Sequence, residues 1–203
     1  MKLDVNRLTQ EDLQAALFAR STSEILSDFP VDLLTGAPKP AAVFIPMFYD
    51  RNAWHVLFIR RTSSLAEHGG QVAFPGGRSD PDDQSAIETA LRETQEEIGL
   101  VPEDVVVLGQ LHKLITITNY EVTPFIGIIP WPYSFRRAES EVARIFSIPL
   151  EWLVDPQNYE ERQRLLPEPY APIKVIYFKP YDQEILWGVS ARIVLDFIDL
   201  LTT

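Results

Sequence analysis

The chain has 203 residues, 46% of them hydrophobic, enough for one domain with a sizeable core. It contains no cysteine, which excludes disulfides, thiolate metal sites and a cysteine nucleophile and fits a reducing compartment. Its net charge of -11 and the lack of a basic face argue against nucleic-acid binding.

Residues 1–40 read as a helical extension of the domain that follows. The N-terminus has no signal-peptide core, and no apolar run in the chain reaches membrane-spanning length, so a cytoplasmic protein is expected, without a membrane partner. Thr9 can N-cap a helix over about 10–20, with Asp12 three residues later. Leu13, Ala16 and Leu17 share a face of it. A second short helix is expected over Thr22–Phe29, and Pro30, Pro38 and Pro40 then impose a loop. This segment offers no chemistry. It is expected to pack on the core or on the partner in a homodimer.

Ala41–Phe48 and Trp54–Arg60 are strand-like runs joined by a hairpin loop. Arg60 and Arg61 end the second run, and a guanidinium fork aimed into a cleft suits phosphate oxygens; an ordinary surface charge is the alternative. Gln71–Phe74 is a short strand candidate. Pro75-Gly76-Gly77 reads as a turn whose glycines let backbone amides approach an anion. His68, beside this loop, could touch a substrate or hold the loop.

The next segment is the strongest helix candidate. Asp82 or Asp83 can cap it, and Gly99 suits the left-handed position after its end. Ile87, Leu91, Thr94 and Ile98 recur at helical spacing as a buried stripe. At roughly 100° per residue, Glu93, Glu96 and Glu97 cluster on the far side of that stripe. Such crowded carboxylates repel one another, and a hard divalent cation would offset the cost. A solvated acidic face is the alternative.

Val105–Leu114 and Val122–Ile129 are expected strands, with a turn at Asn119-Tyr120. Trp131 and Tyr133 could stack on a base or pack locally. Glu139–Phe146 reads as a short helix, with a helical turn starting near Leu150. Asp155–Pro172 is an expected surface loop. Lys174–Phe178 and Glu184–Trp187 are expected to form a hairpin, and Val189–Leu201 a final helix.

The run Arg92-Glu93-Thr94-Gln95-Glu96-Glu97-Ile98-Gly99-Leu100 resembles the end of the Nudix box, G-x5-E-x7-R-E-U-x-E-E-x-G-U. Gly77 and Asp83 keep the first spacing, but eight residues rather than seven separate Asp83 from Arg92, so the first Glu of the box is absent or replaced by Asp83. Leu57, Arg61, Gly70, Phe74, Pro75, Gly76 and Gly77 match a signature found beside the box in coenzyme A pyrophosphatases, while Ala66 stands where that signature has Arg. The resemblance implies an α/β fold, a Nudix-type α/β/α sandwich with a mixed central sheet, spanning residues 41–203.

It also implies Mg²⁺- or Mn²⁺-dependent hydrolysis of a diphosphate bridge in a small nucleotide substrate, coenzyme A or an acyl-CoA. Glu93, Glu96 and Glu97 match the metal-holding positions. Glu93 or Glu141 would take a proton from water, with Glu139 the alternate to Glu141. Arg92 would orient a carboxylate; Arg60, Arg61, Gly76 and Gly77 would bind substrate. Two readings stay beside it: the same chemistry on ADP-ribose or another nucleoside diphosphate, and a Nudix-fold nucleotide-binding regulator that no longer catalyses.

Overall fold

The computed structural model describes residues 4–19, 25–27, 29–63 and 69–202. Its elements follow in chain order. Helix α1 is Gln10–Ala19, and strand β1 is Ile25–Leu26. Strands β2 (Lys39–Asp50), β3 (Ala53–Arg61), β4 (Val72–Ala73) and β5 (Gly76–Arg78) lead to helix α2 (Ala86–Ile98). Strands β6 (Val106–Gln110), β7 (Lys113–Ile115), β8 (Tyr120–Ile128) and β9 (Val142–Pro149) lead to helix α3 (Leu150–Leu153). Strands β10 (Tyr159–Arg164) and β11 (Ile173–Phe178) precede the last helix, α4 (Gly188–Thr202).

Strand β2 is the spine. It runs parallel to β8, from Lys39 opposite Tyr120 to Met47 opposite Ile128, and antiparallel to β3 and β5. Both β2 and β8 read as nearly unbroken apolar runs because both their faces are covered. Their side chains alternate. Ala42, Phe44 and Phe48 join Leu57 and Ile59 of β3 under α2, in a core closed by Ala90, Ile98 and Leu100. Ala41, Ile45 and Met47, with Val56 and Phe58, face the opposite core, which takes Leu13 and Leu17 of α1 and Ile193 and Phe197 of α4. The mixed sheet thus lies between helices on both faces, the expected α/β/α arrangement. Among the described residues, no helix is long and apolar enough to cross a membrane.

Several elements form as expected. Thr9 and Asp12 make a reciprocal capping box: the Thr9 N–H donates to Asp12 Oδ2 at 2.8 Å, and the Asp12 N–H donates to Thr9 Oγ1 at 3.1 Å. The β2–β3 hairpin closes through Arg51 and Asn52, both with positive φ, the backbone that a two-residue turn requires.

Others differ, and in most cases tertiary pairing decides. Ile25 and Leu26, expected to be helical, extend as a strand along β7; a helix that short is marginal without packing to hold it. Val105–Leu114 breaks into β6 and β7 around Leu111 and His112. Glu139–Phe146 is not a helix: residues 139–141 turn, and β9 then pairs with β3 along its length, burying Val142, Phe146 and Ile148. The polar stretch expected as a loop contains β10, which pairs with β11. Glu184–Trp187 therefore meets β11 not as a paired strand but through a Tyr177–Trp187 bridge, where the two rings stack, and a Phe178–Leu186 hydrogen bond. Pro75-Gly76-Gly77 leads into a strand rather than a free turn. A Cβ on Gly76 would run into the Ala42 carbonyl, so glycine alone lets β5 lie this close to β2.

Candidate active site

Helix α2 carries the acidic cluster across the sheet. Its N-cap is Ser85, whose hydroxyl accepts from the Glu88 N–H at 3.3 Å, while Glu88 reaches back to the Gln84 N–H at 2.6 Å. Gly99 ends it in the left-handed region at φ 70°, as the sequence suggests. The expected caps, Asp82 and Asp83, lie upstream of Ser85. Asp83 has another task. Its two oxygens take the fork of Arg92, with Nε 2.9 Å from Oδ1 and Nη2 3.0 Å from Oδ2, and Oδ2 also accepts from the Thr89 hydroxyl at 2.7 Å. This pairing holds the Asp83 carboxyl well below the usual carboxylate range and drives Arg92 further towards its charged form.

Arg92 passes that anchorage on. Its Nη1 donates to Glu93 Oε1 at 2.8 Å and to Glu96 Oε1 at 3.3 Å. Arg92 thus lies between Asp83 on one side and the Glu93 and Glu96 carboxylates on the other. Asp83 contributes what a bidentate partner must, from a position one residue further from Arg92 along the chain.

Glu97 is the deepest of the three glutamates, 2% exposed, and does not look outward as a plain helical wheel would place it. The Gly76 N–H donates to its Oε2 at 3.0 Å, and Arg61 Nη1 donates to its Oε1 at 3.1 Å. Among the described residues, the Arg61 Nε is buried without a hydrogen-bond partner. Gly77 lies against Glu93: a Cβ there would collide with the Glu93 carboxylate. Arg60 is not brought to this site. Successive strand residues face opposite ways, and Arg60 points to the other side of the sheet, 3.4 Å from Glu184.

Glu141 arrives by a route the sequence does not disclose. The segment before β9 folds back on the end of α2, with the Arg136 and Ala138 N–H groups donating to the carbonyls of Ile98 and Glu97. The Glu141 N–H then donates to Ala138, and the Thr62 N–H donates to the Glu141 carbonyl, so Glu141 is pinned between the helix end and β3. Its charge adds to those facing Glu93 and Glu97. Glu139 instead pairs with Arg137, with its side chain 83% exposed.

Burial raises the Glu93 carboxyl against the opposing pull of Arg92. Burial pushes Glu97 up to about 7, helped by the charges of Glu93 and Glu141 and only partly countered by Gly76 and Arg61. Five carboxylates (Asp83, Glu93, Glu96, Glu97 and Glu141) therefore meet two guanidiniums. This donor set, all hard oxygen with a surplus of negative charge, fits a divalent cation such as Mg²⁺. Among the described residues the carboxylates do not already converge as a cage; Arg61 and Arg92 stand among them.

A shallow cleft of about 820 Å³ opens beside Glu96, lined by Gln95, Val101, Tyr133, Ser134 and Arg136 among others. Trp131 stacks on Phe48 with ring centroids 3.8 Å apart, and the Tyr133 hydroxyl donates to Asp104 at 2.9 Å, so both aromatics have local packing roles. Ala66 and His68 lie outside the described residues.

The NUDIX domain family matches residues 38–168, well over half of the chain. The chain belongs to the Nudix hydrolase family. It is 37% identical over 164 residues to a protein of Pectobacterium atrosepticum called uncharacterized Nudix hydrolase NudL, covering 77% of this chain and 79% of that protein. It is 39% identical over 160 residues to the protein of the same name from Yersinia pestis, covering 77% and 76%. Two solved structures share the fold. A MutT/nudix family protein from Enterococcus faecalis aligns with 97% of this chain and 70% of its own at a TM-score of 0.54 and 13% identity. The Nudix hydrolase RenU from M. smegmatis aligns with 60% and 76% at a TM-score of 0.50 and 21% identity. Nudix hydrolases act on nucleoside diphosphate derivatives and generally use divalent metal ions, and the carboxylate-rich face of α2 suits the second demand.

Proposed function

We propose that this Nudix hydrolase cleaves the diphosphate bridge of coenzyme A or an acyl-CoA. Water adds across one P–O bond of the bridge, giving 3′,5′-ADP and 4′-phosphopantetheine or its acyl form. The observation that carries the reading is the junction of the two sequence signatures. Arg61 and Gly76, from the segment resembling coenzyme A pyrophosphatases, both hydrogen-bond Glu97 of the box.

Glu93, Glu96 and Glu97 would hold Mg²⁺ or Mn²⁺. Such an ion, when bound, neutralises charge on the diphosphate and makes water easier to deprotonate. Glu93, its carboxyl already raised by burial, or Glu141, exposed and adjoining, takes the proton from the attacking water. Arg92, locked by Asp83, fixes the Glu93 and Glu96 carboxylates. Arg61 and the backbone at Gly76 and Gly77 face the phosphates, and Arg60, committed to Glu184, takes no part. Residues 41–203 form the hydrolase domain and residues 1–40 an extension packed on its core; the contacts of α1 with β6 and α4 support that packing.

The test is kcat/KM with Mg²⁺ or Mn²⁺ for CoA, 3′-dephospho-CoA, ADP-ribose, NADH and dinucleoside polyphosphates. CoA is expected to be the best substrate, ahead of 3′-dephospho-CoA. A preference for ADP-ribose of about tenfold or more, roughly 1.4 kcal/mol, would replace this substrate with a different nucleoside diphosphate. No turnover of any compound would leave a binding protein.

A further inference from the structure

We infer that Arg61 is an internal stand-in for the divalent cation: it neutralises Glu97 in the metal-free protein and is displaced towards the substrate's phosphates when the ion binds. The inference rests on the reading of Glu93, Glu96 and Glu97 as the ion's holders and adds a coupling residue to it.

Three observations support the exchange. Arg61 Nη1 sits 3.1 Å from Glu97 Oε1, while Oε2 accepts from the Gly76 N–H at 3.0 Å, so each oxygen of the deepest carboxylate already accepts a hydrogen bond. A dication approaching Glu97 meets a positive charge on the same carboxylate. The two cations repel at short range in a partly dehydrated site, where such repulsion is weakly screened. Second, Arg61 is held asymmetrically. Its Nη1 is paired with Glu97, but its Nε is buried with no acceptor among the described residues, so the side chain leaves a donor unsatisfied in its present position. A phosphate oxygen, which guanidinium forks match well, would satisfy it. Third, the other guanidinium cannot serve. Arg92 is fixed by two hydrogen bonds to Asp83 and by further ones to the Arg78 carbonyl, Glu93 and Glu96. Among the described residues Arg61 has a single ion pair to give up, at the end of a strand beside the helix face.

The exchange has a thermodynamic signature. Arg61 competes with the ion for Glu97, so it lowers metal affinity in the free protein. Once released, it favours phosphate binding, so metal and substrate should bind with positive coupling, and linkage makes that coupling reciprocal. A residue that merely braced Glu97 would do the opposite, because its loss would loosen the carboxylate and weaken the metal.

The experiment is Mn²⁺ binding without nucleotide, by electron paramagnetic resonance at pH 8, on the wild type, Arg61→Gln and Arg61→Lys. Arg61→Gln is expected to bind Mn²⁺ about tenfold more tightly than the wild type, with Arg61→Lys, which keeps the charge, close to the wild type. In parallel, the arginine side-chain N–H signals of the wild type are followed by NMR during Mg²⁺ titration, with Arg61 assigned by its loss in Arg61→Lys. Its Nε–H signal should shift along the metal saturation curve. This measurement stands even if Arg61→Gln fails to fold. Unchanged or weaker Mn²⁺ binding by folded Arg61→Gln, or an Arg61 signal indifferent to Mg²⁺, overturns the exchange while leaving the metal site intact. A wild type that binds no Mn²⁺ overturns both.

Discussion

The two faces of the sheet bury carboxylates to nearly the same depth and treat them differently. On the face away from α2, the Glu184 side chain is 6% exposed and lies between Arg60 at 3.4 Å and Arg144 at 3.1 Å. On that face too, Asp196 meets His112 Nδ1 at 2.8 Å. On the α2 face, Glu97 is as deeply buried and burial raises its carboxyl to about 7; there, however, the surrounding carboxylates outnumber the guanidiniums and add to that rise. Depth alone therefore does not mark a site. The balance of charge does: a matched buried cluster ties elements together, whereas an unmatched one costs stability and is retained where a ligand supplies the missing charge.

The largest expected contrast comes from removing the same oxygen on each face. Glu97→Gln should lower turnover by at least tenfold, about 1.4 kcal/mol or more in barrier, with the fold retained, because the substitution keeps the shape and removes an awkward charge. Glu184→Gln should do the reverse. It strips Arg60 and Arg144 of a shared partner and should cost about 1–3 kcal/mol of stability, while kcat/KM stays within about threefold. Steady-state kinetics and urea melts on the two variants separate the faces. Equal kinetic damage from both would break the comparison.

Next in size is Asp83→Asn. If Asp83 were only a helix cap, Asn would replace it well, but it holds the Arg92 fork instead. Losing that charge-assisted pair should reduce turnover by about threefold to tenfold through Glu93 and Glu96, and lower Tm as well. Turnover equal to the wild type would mean that Arg92 needs no anchor.

The pH dependence of stability carries opposite signs for these two acids. Glu97 has a folded value of about 7 against an ordinary 4.5, so its folded form binds the proton more tightly. Its contribution is full below about 4.5 and is lost as pH rises through 7. Asp83 is shifted down, so its contribution is present above its ordinary 3.8 and is lost as the solution becomes more acidic than that. Metal-free denaturation midpoints between pH 4.5 and 8.5 should therefore fall with rising pH in the wild type, and fall less in Glu97→Gln. A parallel decline in both would assign the titration to another group.

The smallest expected effect concerns the helix entry. Ser85→Ala should cost about 1 kcal/mol of stability by removing the cap, with kcat/KM unchanged. An equal loss from Asp82→Ala would restore the cap to the aspartates.

Features set by local chemistry are legible in the sequence, and those set by distant partners are not. The capping box at Thr9 and the left-handed Gly99 are short-range features that the structure repeats, and of the expected stripe Thr94 and Ile98 are buried while Ile87 and Leu91 are half-buried against the same core. The glutamates of the box are legible as a group, but their depths are not. Glu97 sinks because Gly76 and Arg61, distant in sequence, meet it on the sheet side. Alternation along β3 would have separated Arg60 from Arg61, since adjacent strand residues face opposite ways. No local signal reveals β9: Glu139–Phe146 can be drawn as a helix, and pairing with β3 makes it a strand. The partner of Arg92 is likewise hidden, because the extra residue before it disguises Asp83 as a cap.

The α2 face carries a surplus of negative charge that a divalent ion would offset. The most direct test is the thermal stability of the wild type and Glu97→Gln at pH 8 across a Mg²⁺ titration. An ion that binds only the folded state raises Tm with its concentration. The wild-type Tm should climb and saturate, and the Glu97→Gln Tm should start at or above the wild-type value and respond only at about tenfold higher Mg²⁺, if at all. Superimposable Mg²⁺ responses in the two proteins would contradict the account.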